Sequence, residues 1–250
     1  MNVLKLNRVG LTVKKLISFI IAKAQVVLAV AILSFTIVAI LALSKSVQQA
    51  ETITWKLDNP GLVGGYKPVI LGNPLASRDT SGTSLSFNGV NDGLVIPKIP
   101  IEGWKRFTIE VLFKPDASGP RAPRFVHFQD KQANRGTIEI RLAANKRWYL
   151  DTFLKNGATG TSDRGLTLID STLQHPADQW YWAALVYDGK RMTSYVNGVK
   201  ELEGDTNFTT VTSGEISLGV RLNKVNWFKG LIREIRFHPA ALDQSALRQP

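Results

Sequence analysis

The chain has 250 residues, with 31 basic against 20 acidic side chains, a formal net charge of +11 and no cysteine. Six of the basic residues, Lys5, Arg8, Lys14, Lys15, Lys23 and Lys45, lie in the first fifty positions, where no acid occurs, so the remaining 25 face 20 acids and the body carries only +5. Those later charges are scattered rather than gathered in a stripe, which argues against nucleic acid as a partner. Disulfide staples are excluded, and a body of about 200 residues can bury a single core without them.

Residues 1–50 differ in kind from the rest. Val26 to Leu43, VVLAVAILSFTIVAILAL, is an uninterrupted apolar or small run behind a basic segment. It is longer than the ~7–15 residues of a signal-peptide core and close to the ~20 that span a bilayer. A transmembrane anchor and a signal cleaved near Ala42 and Ser44 both remain open. In either case the basic flank predicts a cytoplasmic N-terminus and an extracytoplasmic body, residues 51–250, membrane-anchored or secreted. A bacterial envelope is the simplest home for an exported body without cysteine.

Residues 51 to 82 are rich in glycine and proline and read as a lead-in with one edge strand near Thr54. Period-two runs follow. Leu85 and Phe87 alternate with serines; Phe107, Ile109, Val111 and Phe113 alternate with more polar neighbours; Ile138, Ile140 and Leu142 alternate with Glu139 and Arg141. Such alternation predicts half-buried antiparallel strands. Asp116 to Arg124 and Gly157 to Gly165 are loops by composition. In Trp180 to Gly198 an apolar strand covered on both faces breaks at Asp188-Gly189, and a second strand breaks at Asn197-Gly198, both hairpin signals of the positive-φ kind. With no long helical period after residue 51, the body is all-β, a sandwich of two sheets.

The hairpin from Trp180 through Ala184-Leu185-Val186-Tyr187-Asp188-Gly189 to Tyr195-Val196-Asn197-Gly198 resembles that of laminin G-like domains in the concanavalin A-like lectin and glucanase superfamily. Leu85 to Pro97, Ile216 to Gly219, Phe228 to Phe237 and Ala241 to Leu247 resemble its flanking blocks in the expected order. The resemblance implies a jelly-roll β-sandwich of two antiparallel sheets. It also implies a binding module for a glycan, with a protein adhesion module and a glycoside hydrolase with a divergent carboxylate pair as alternatives. One departure is that many bacterial members carry His soon after the hairpin's first Trp, where this chain has Tyr181 and Trp182.

Catalytic relatives hold two acids in a Glu-x-Asp-x-Glu type run. The nearest match, Glu201-Leu202-Glu203-Gly204-Asp205, has alternate acids but lacks the central Asp and the aromatic surround and reads as solvated charge, so no catalytic residues are assigned. Glu139 stands alone on its strand. His127 and His238 read as hydrogen-bonded structural residues, and no histidine has zinc-ligand spacing. Calcium is the one cofactor the resemblance suggests, with Asn91, Asp92 and Asp188 as its ligands, although tight turns select the same residues for backbone geometry. Aromatic rings beside polar groups suit sugars, which makes Trp148, Tyr149 and Trp227, with Asn223 and Asn226, the expected ligand-binding set. Trp180 and Trp182 are expected in the core.

Overall fold

The computed structural model describes residues 51–157 and 164–249. The expected leader, residues 1–50, lies outside the described residues, as does the middle of the loop expected between Gly157 and Gly165. Among the described residues no helix is long and apolar enough to cross a membrane.

Sixteen strands are described. The first eight are β1 (Ile53–Lys56), β2 (Val69–Leu71), β3 (Leu75–Asp79), β4 (Gly82–Asn88), β5 (Gly93–Ile96), β6 (Phe107–Pro115), β7 (Arg124–Asp130) and β8 (Arg135–Leu142). The rest are β9 (Arg147–Lys155), β10 (Leu166–Ile169), β11 (His175–Pro176), β12 (Tyr181–Tyr187), β13 (Arg191–Val196), β14 (Val199–Asp205), β15 (Gly214–Leu218) and β16 (Lys229–His238). They form two antiparallel eight-stranded sheets. Sheet one runs β14-β13-β12-β6-β16-β4-β3 with β1 also on β16, and sheet two runs β10-β9-β8-β7-β15-β5-β2 with β11 also on β9. A one-residue shift at Arg233 divides β16, so that β4 pairs with its first part and β1 with its second.

The alternating apolar residues meet between the sheets. Phe113 of β6 stacks on Phe125 of β7 at 4.5 Å between ring centroids and meets Trp148 of β9 edge-on at 5.2 Å. Such pairs add directional attraction to the burial of large apolar area. The lead-in is more than one edge strand: β2 and β3 close the edges of the two sheets, while Trp55 of β1 packs edge-on against Phe237 at 5.0 Å. Two short edge strands with mostly exposed side chains carry no alternation, so the sequence pattern does not reveal them.

Strand β12 is buried along its whole length, as its apolar sequence requires. One face enters the core, and Leu247, with Ala241 and Leu242, covers Ala184, Val186 and Tyr195 on the other. Beside that cover the buried Glu110 accepts the Arg248 amide at 2.7 Å and pairs with His238 at 2.8 Å, as a structural histidine should. The two hairpin turns differ. Asn197 and Gly198 both have positive φ, whereas at Asp188-Gly189 only the glycine does, and the Asp188 carboxylate instead accepts the amides of Lys190 and Arg191. Leu247→Ala should cost about 2–3 kcal/mol by uncovering this face, measured by urea unfolding; no loss would mean that the segment does not pack there.

Candidate functional site

The outward face of sheet two bears charge where an outer strand face would ordinarily bear small polar groups. Strict alternation along Arg124-Phe125-Val126-His127 would put Arg124 and His127 on opposite faces. The register shifts between Arg124 and Val126, which makes Phe125 an extra residue; both Phe125 and Val126 are buried in the core. Arg124 and His127 therefore face outward together. The ladders align Arg124 with Glu139 and Glu139 with Asp151 in one row, and His127, Thr137, Phe153 and Thr167 in the next. With Arg135, Arg141 and Arg221 these residues line a pocket of about 190 Å³.

Its floor is a buried ionic cluster. Glu139 is 3% exposed and Asp151 1%. Arg124 Nε lies 2.9 Å from Glu139 Oε2, Arg141 Nη2 lies 2.5 Å from Asp151 Oδ2, and Arg141 Nη1 reaches Glu139 Oε2 at 3.5 Å. Thr137 donates to Glu139 Oε1 at 2.9 Å. Glu139 Oε2 is paired with Arg124 and Arg141 and Asp151 Oδ2 with Arg141, while Asp151 Oδ1 has no partner. Burial, and then the neighbouring Glu139, push the Asp151 carboxyl up to about 6 against the pull of Arg141 and Arg124. His127, 2% exposed, accepts the Leu222 amide on Nδ1 at 3.1 Å, while its Nε2 has no partner. Burial and the charges of Arg221, Arg124 and Arg135 drive its pKa down to about 3, so the ring is neutral at physiological pH. A neutral ring that accepts on Nδ1 carries its proton on Nε2. The pocket thus presents one neutral donor, several guanidinium donors and buried carboxylate acceptors.

A family model described as the concanavalin A-like lectin/glucanases superfamily, of the laminin G-like type, matches residues 88–248. The chain belongs to that superfamily. Domain 4 of AbnA, a GH43 extracellular arabinanase from Geobacillus stearothermophilus solved in complex with arabinotriose, is 23% identical. It aligns over 79% of this chain and 97% of its own with a TM-score of 0.58. The receptor binding domain of botulinum neurotoxin D is 13% identical, with 78% and 50% of the two chains covered and a TM-score of 0.55. The serotype D ligand binding domain in complex with N-acetylneuraminic acid is 14% identical, with 77% and 48% covered and a TM-score of 0.54. The chain spans about half the length of these toxin domains. At such identities the likeness is one of fold. No curated protein matches the chain by sequence.

Within this laminin G-like sandwich the residues singled out by sequence fall in different places. Trp148 is not a ligand ring. It is fully buried, donating from Nε1 to Pro176 O at 3.1 Å, because its strand face is the inner one. Tyr149, on the opposite face, is half-buried and lines a separate groove with Arg121 and Gln174. Asn223, Asn226 and Trp227 lie on the β15–β16 loop; Asn223 is exposed and Trp227 half-buried, and Asn226, with positive φ, donates to Ala122 O at 3.1 Å. None of the three lines the charged pocket, although Arg221 and the Leu222 amide of the same loop serve it.

Of the expected calcium ligands, Asp92 and Asp188 accept backbone amides, and Asn91 is held by a neighbouring side chain. Asp92 accepts the amides of Asn73 at 2.8 Å and Asn88 at 3.1 Å, and Asn91 Oδ1 accepts from Asn88 Nδ2 at 2.7 Å. The amide of Arg191, then that of Lys190, hold the Asp188 carboxyl below the usual range. Among the described residues no three His, Asp or Glu side chains converge as a metal site.

Two further expectations need correction. Glu201 is not a solvated charge: it is the extra residue of a bulge opposite Ser194 and Tyr195, and it pairs with His175 at 2.6 Å with a side chain 7% exposed. Glu203 and Asp205 are exposed and paired with Arg191. Trp180 is half-buried under the Arg233 guanidinium, 4.0 Å from the ring centroid, rather than in the core, whereas Trp182 is buried as expected, with Arg236 5.7 Å from its ring centroid.

Native Asp151 keeps its proton up to about pH 6, whereas an unfolded aspartate releases it near 3.8. Its ionisation therefore opposes folding at neutral pH by an amount on the order of 3 kcal/mol, and that penalty fades as the pH falls from 6 toward 3.8. His127 acts in the opposite sense: an unfolded ring protonates near 6.5 and the native one only near 3, so its contribution to stability declines as the pH falls below 6.5. Asp151→Asn fixes the neutral form and leaves His127 in place. It should raise the thermal midpoint above wild type at pH 7.5 and match it near pH 4, as read by calorimetry in the two buffers; a lower midpoint at pH 7.5 would show that the ion pair with Arg141 outweighs burial. Trp148→Ala should destabilise by about 3–5 kcal/mol, while Trp227→Ala should leave urea unfolding nearly unchanged.

Proposed function

We propose that this domain is a binding module for carbohydrate and that its ligand enters the β7–β10 pocket. The observation that carries this reading is a pocket in which His127 Nε2 has no partner and Arg135 and Arg221 have no carboxylate among the described residues, beside two acids already held by Arg124 and Arg141. Unsatisfied polar groups are costly in a fold unless a ligand uses them. Donors, acceptors and the Phe153 ring together offer what a sugar needs, hydroxyl partners and an apolar surface. The arabinotriose and N-acetylneuraminic acid carried by two structures of the same fold are in keeping with it.

Two carboxylates side by side, one with its pKa raised to about 6, also favour a second reading, glycoside hydrolysis. Against it, Arg124 and Arg141 engage both acids, and each acid is almost wholly buried, whereas hydrolysis needs a reachable acid and a free partner. We assign binding without turnover, displayed on the outer side of a membrane through the basic, apolar leader in residues 1–50.

On a glycan array the full-length protein in mild detergent should retain a defined set of glycans, and His127→Ala should weaken that retention roughly tenfold, the worth of one well-placed hydrogen bond. Release of reducing ends from a retained glycan, abolished by Asp151→Asn, would install the hydrolase reading instead. A blank array together with capture of a surface protein would install adhesion. Protease added to intact spheroplasts should degrade the body, and its protection would sink the proposed display.

A further inference from the structure

Four guanidinium groups line the pocket and only two acids answer them. Arg124 and Arg141 are engaged by Glu139 and Asp151. Arg135 and Arg221 have no carboxylate partner among the described residues, and Arg135 rests only over the Phe153 ring, 5.7 Å from its centroid. Both guanidinium charges bear on His127, which stays neutral and shares none of the charge. Like charges converging on a partly dehydrated site repel, and an anion placed among them turns that repulsion into attraction.

We infer that the pocket recognises an anionic group, a carboxylate or sulfate carried on a sugar, with Arg135 and Arg221 as its ion partners and His127 Nε2–H as a neutral donor beside them. The sugar rests on the proposed function; the anion does not. Guanidinium forks match the paired oxygens of such groups, and their hydrogen bonds to them are the strong, charge-assisted kind. A volume of about 190 Å³ is small beside the ~300–1,000 Å³ usual for ligand pockets, so one acidic ring fits and a polymer lying in its depth does not. Phe153 supplies the ring's apolar contact, and Glu139 and Asp151 hold Arg124 and Arg141 without neutralising the other two arginines.

The test presents the full-length protein in mild detergent with acidic glycans beside their neutral counterparts: sialyllactose with lactose, oligogalacturonate with its methyl ester, a sulfated with a desulfated galactan. Inorganic phosphate is titrated separately. The acidic members should bind in preference, and less tightly as salt rises. Arg135→Gln and Arg221→Gln should each weaken them roughly 10- to 100-fold, the loss of a charged hydrogen-bond partner. Neither variant should lower the thermal midpoint, since neither arginine has a structural ion pair and each adds to the repulsion in the empty pocket. Equal binding of neutral and acidic members, or acidic binding indifferent to both variants, would overturn the anion inference and leave the carbohydrate reading standing. Phosphate binding that depends on the two arginines, with every glycan unbound, would leave the anion site standing and remove the carbohydrate. Absence of binding to every glycan and to phosphate would remove both.

Discussion

The bulge at Phe125 is the constraint on which both halves of this structure depend. By placing Phe125 and Val126 together on the inner face, it sends one more ring into the space between the sheets, where it stacks on Phe113. The same extra residue brings Arg124 and His127 onto one outer face. Core and pocket are therefore two consequences of a single local departure from period two, in keeping with the common use of bulges to re-aim side chains. A change that repaired the register would withdraw a ring from the core and a functional group from the pocket at once.

The pocket shows how a sandwich can keep charge on a buried face. Isolated, either acid would be expensive to bury; held between Arg124 and Arg141, the pair becomes tolerable and fixes the guanidinium planes. His127 meets the same problem differently, by remaining neutral and taking the Leu222 amide on one nitrogen. The β15–β16 loop that supplies this amide also carries Arg221, so the loop is tied to the sheet at the point where it contributes a charge.

The architecture was legible in the sequence and much of the pocket was not, for definite reasons. Turn chemistry and apolar strands at residues 180–198 declared the central hairpin, and the flanking blocks declared the superfamily. Glu139 appeared solitary because its neighbour Asp151 stands across a ladder rather than two residues along the strand. The pairing emerges only once the turn around Asn145, with Lys146 at positive φ, sets the register of β8 on β9. That turn has no glycine and gave little signal. Trp148 was misplaced because alternation groups it with Leu150, Thr152 and Leu154, a face that turns inward, yet its neighbour Arg147 made the ring look exposed. The acids of the turns were visible, but their occupation by backbone amides is a matter of three-dimensional geometry.

Strand β16 has a consequence for the order of assembly. It occupies the middle of sheet one, with β6 on one side and β4 followed by β1 on the other, although almost the whole domain precedes it in the chain. Each of these pairings closes a loop of more than a hundred residues, a topology that makes folding slow. Until Lys229–His238 is in place, β6 and β4 each expose an unpaired edge next to an unfilled core. The nascent domain is thus most prone to self-association just before completion, and the insertion of one late strand resolves that hazard in a single step.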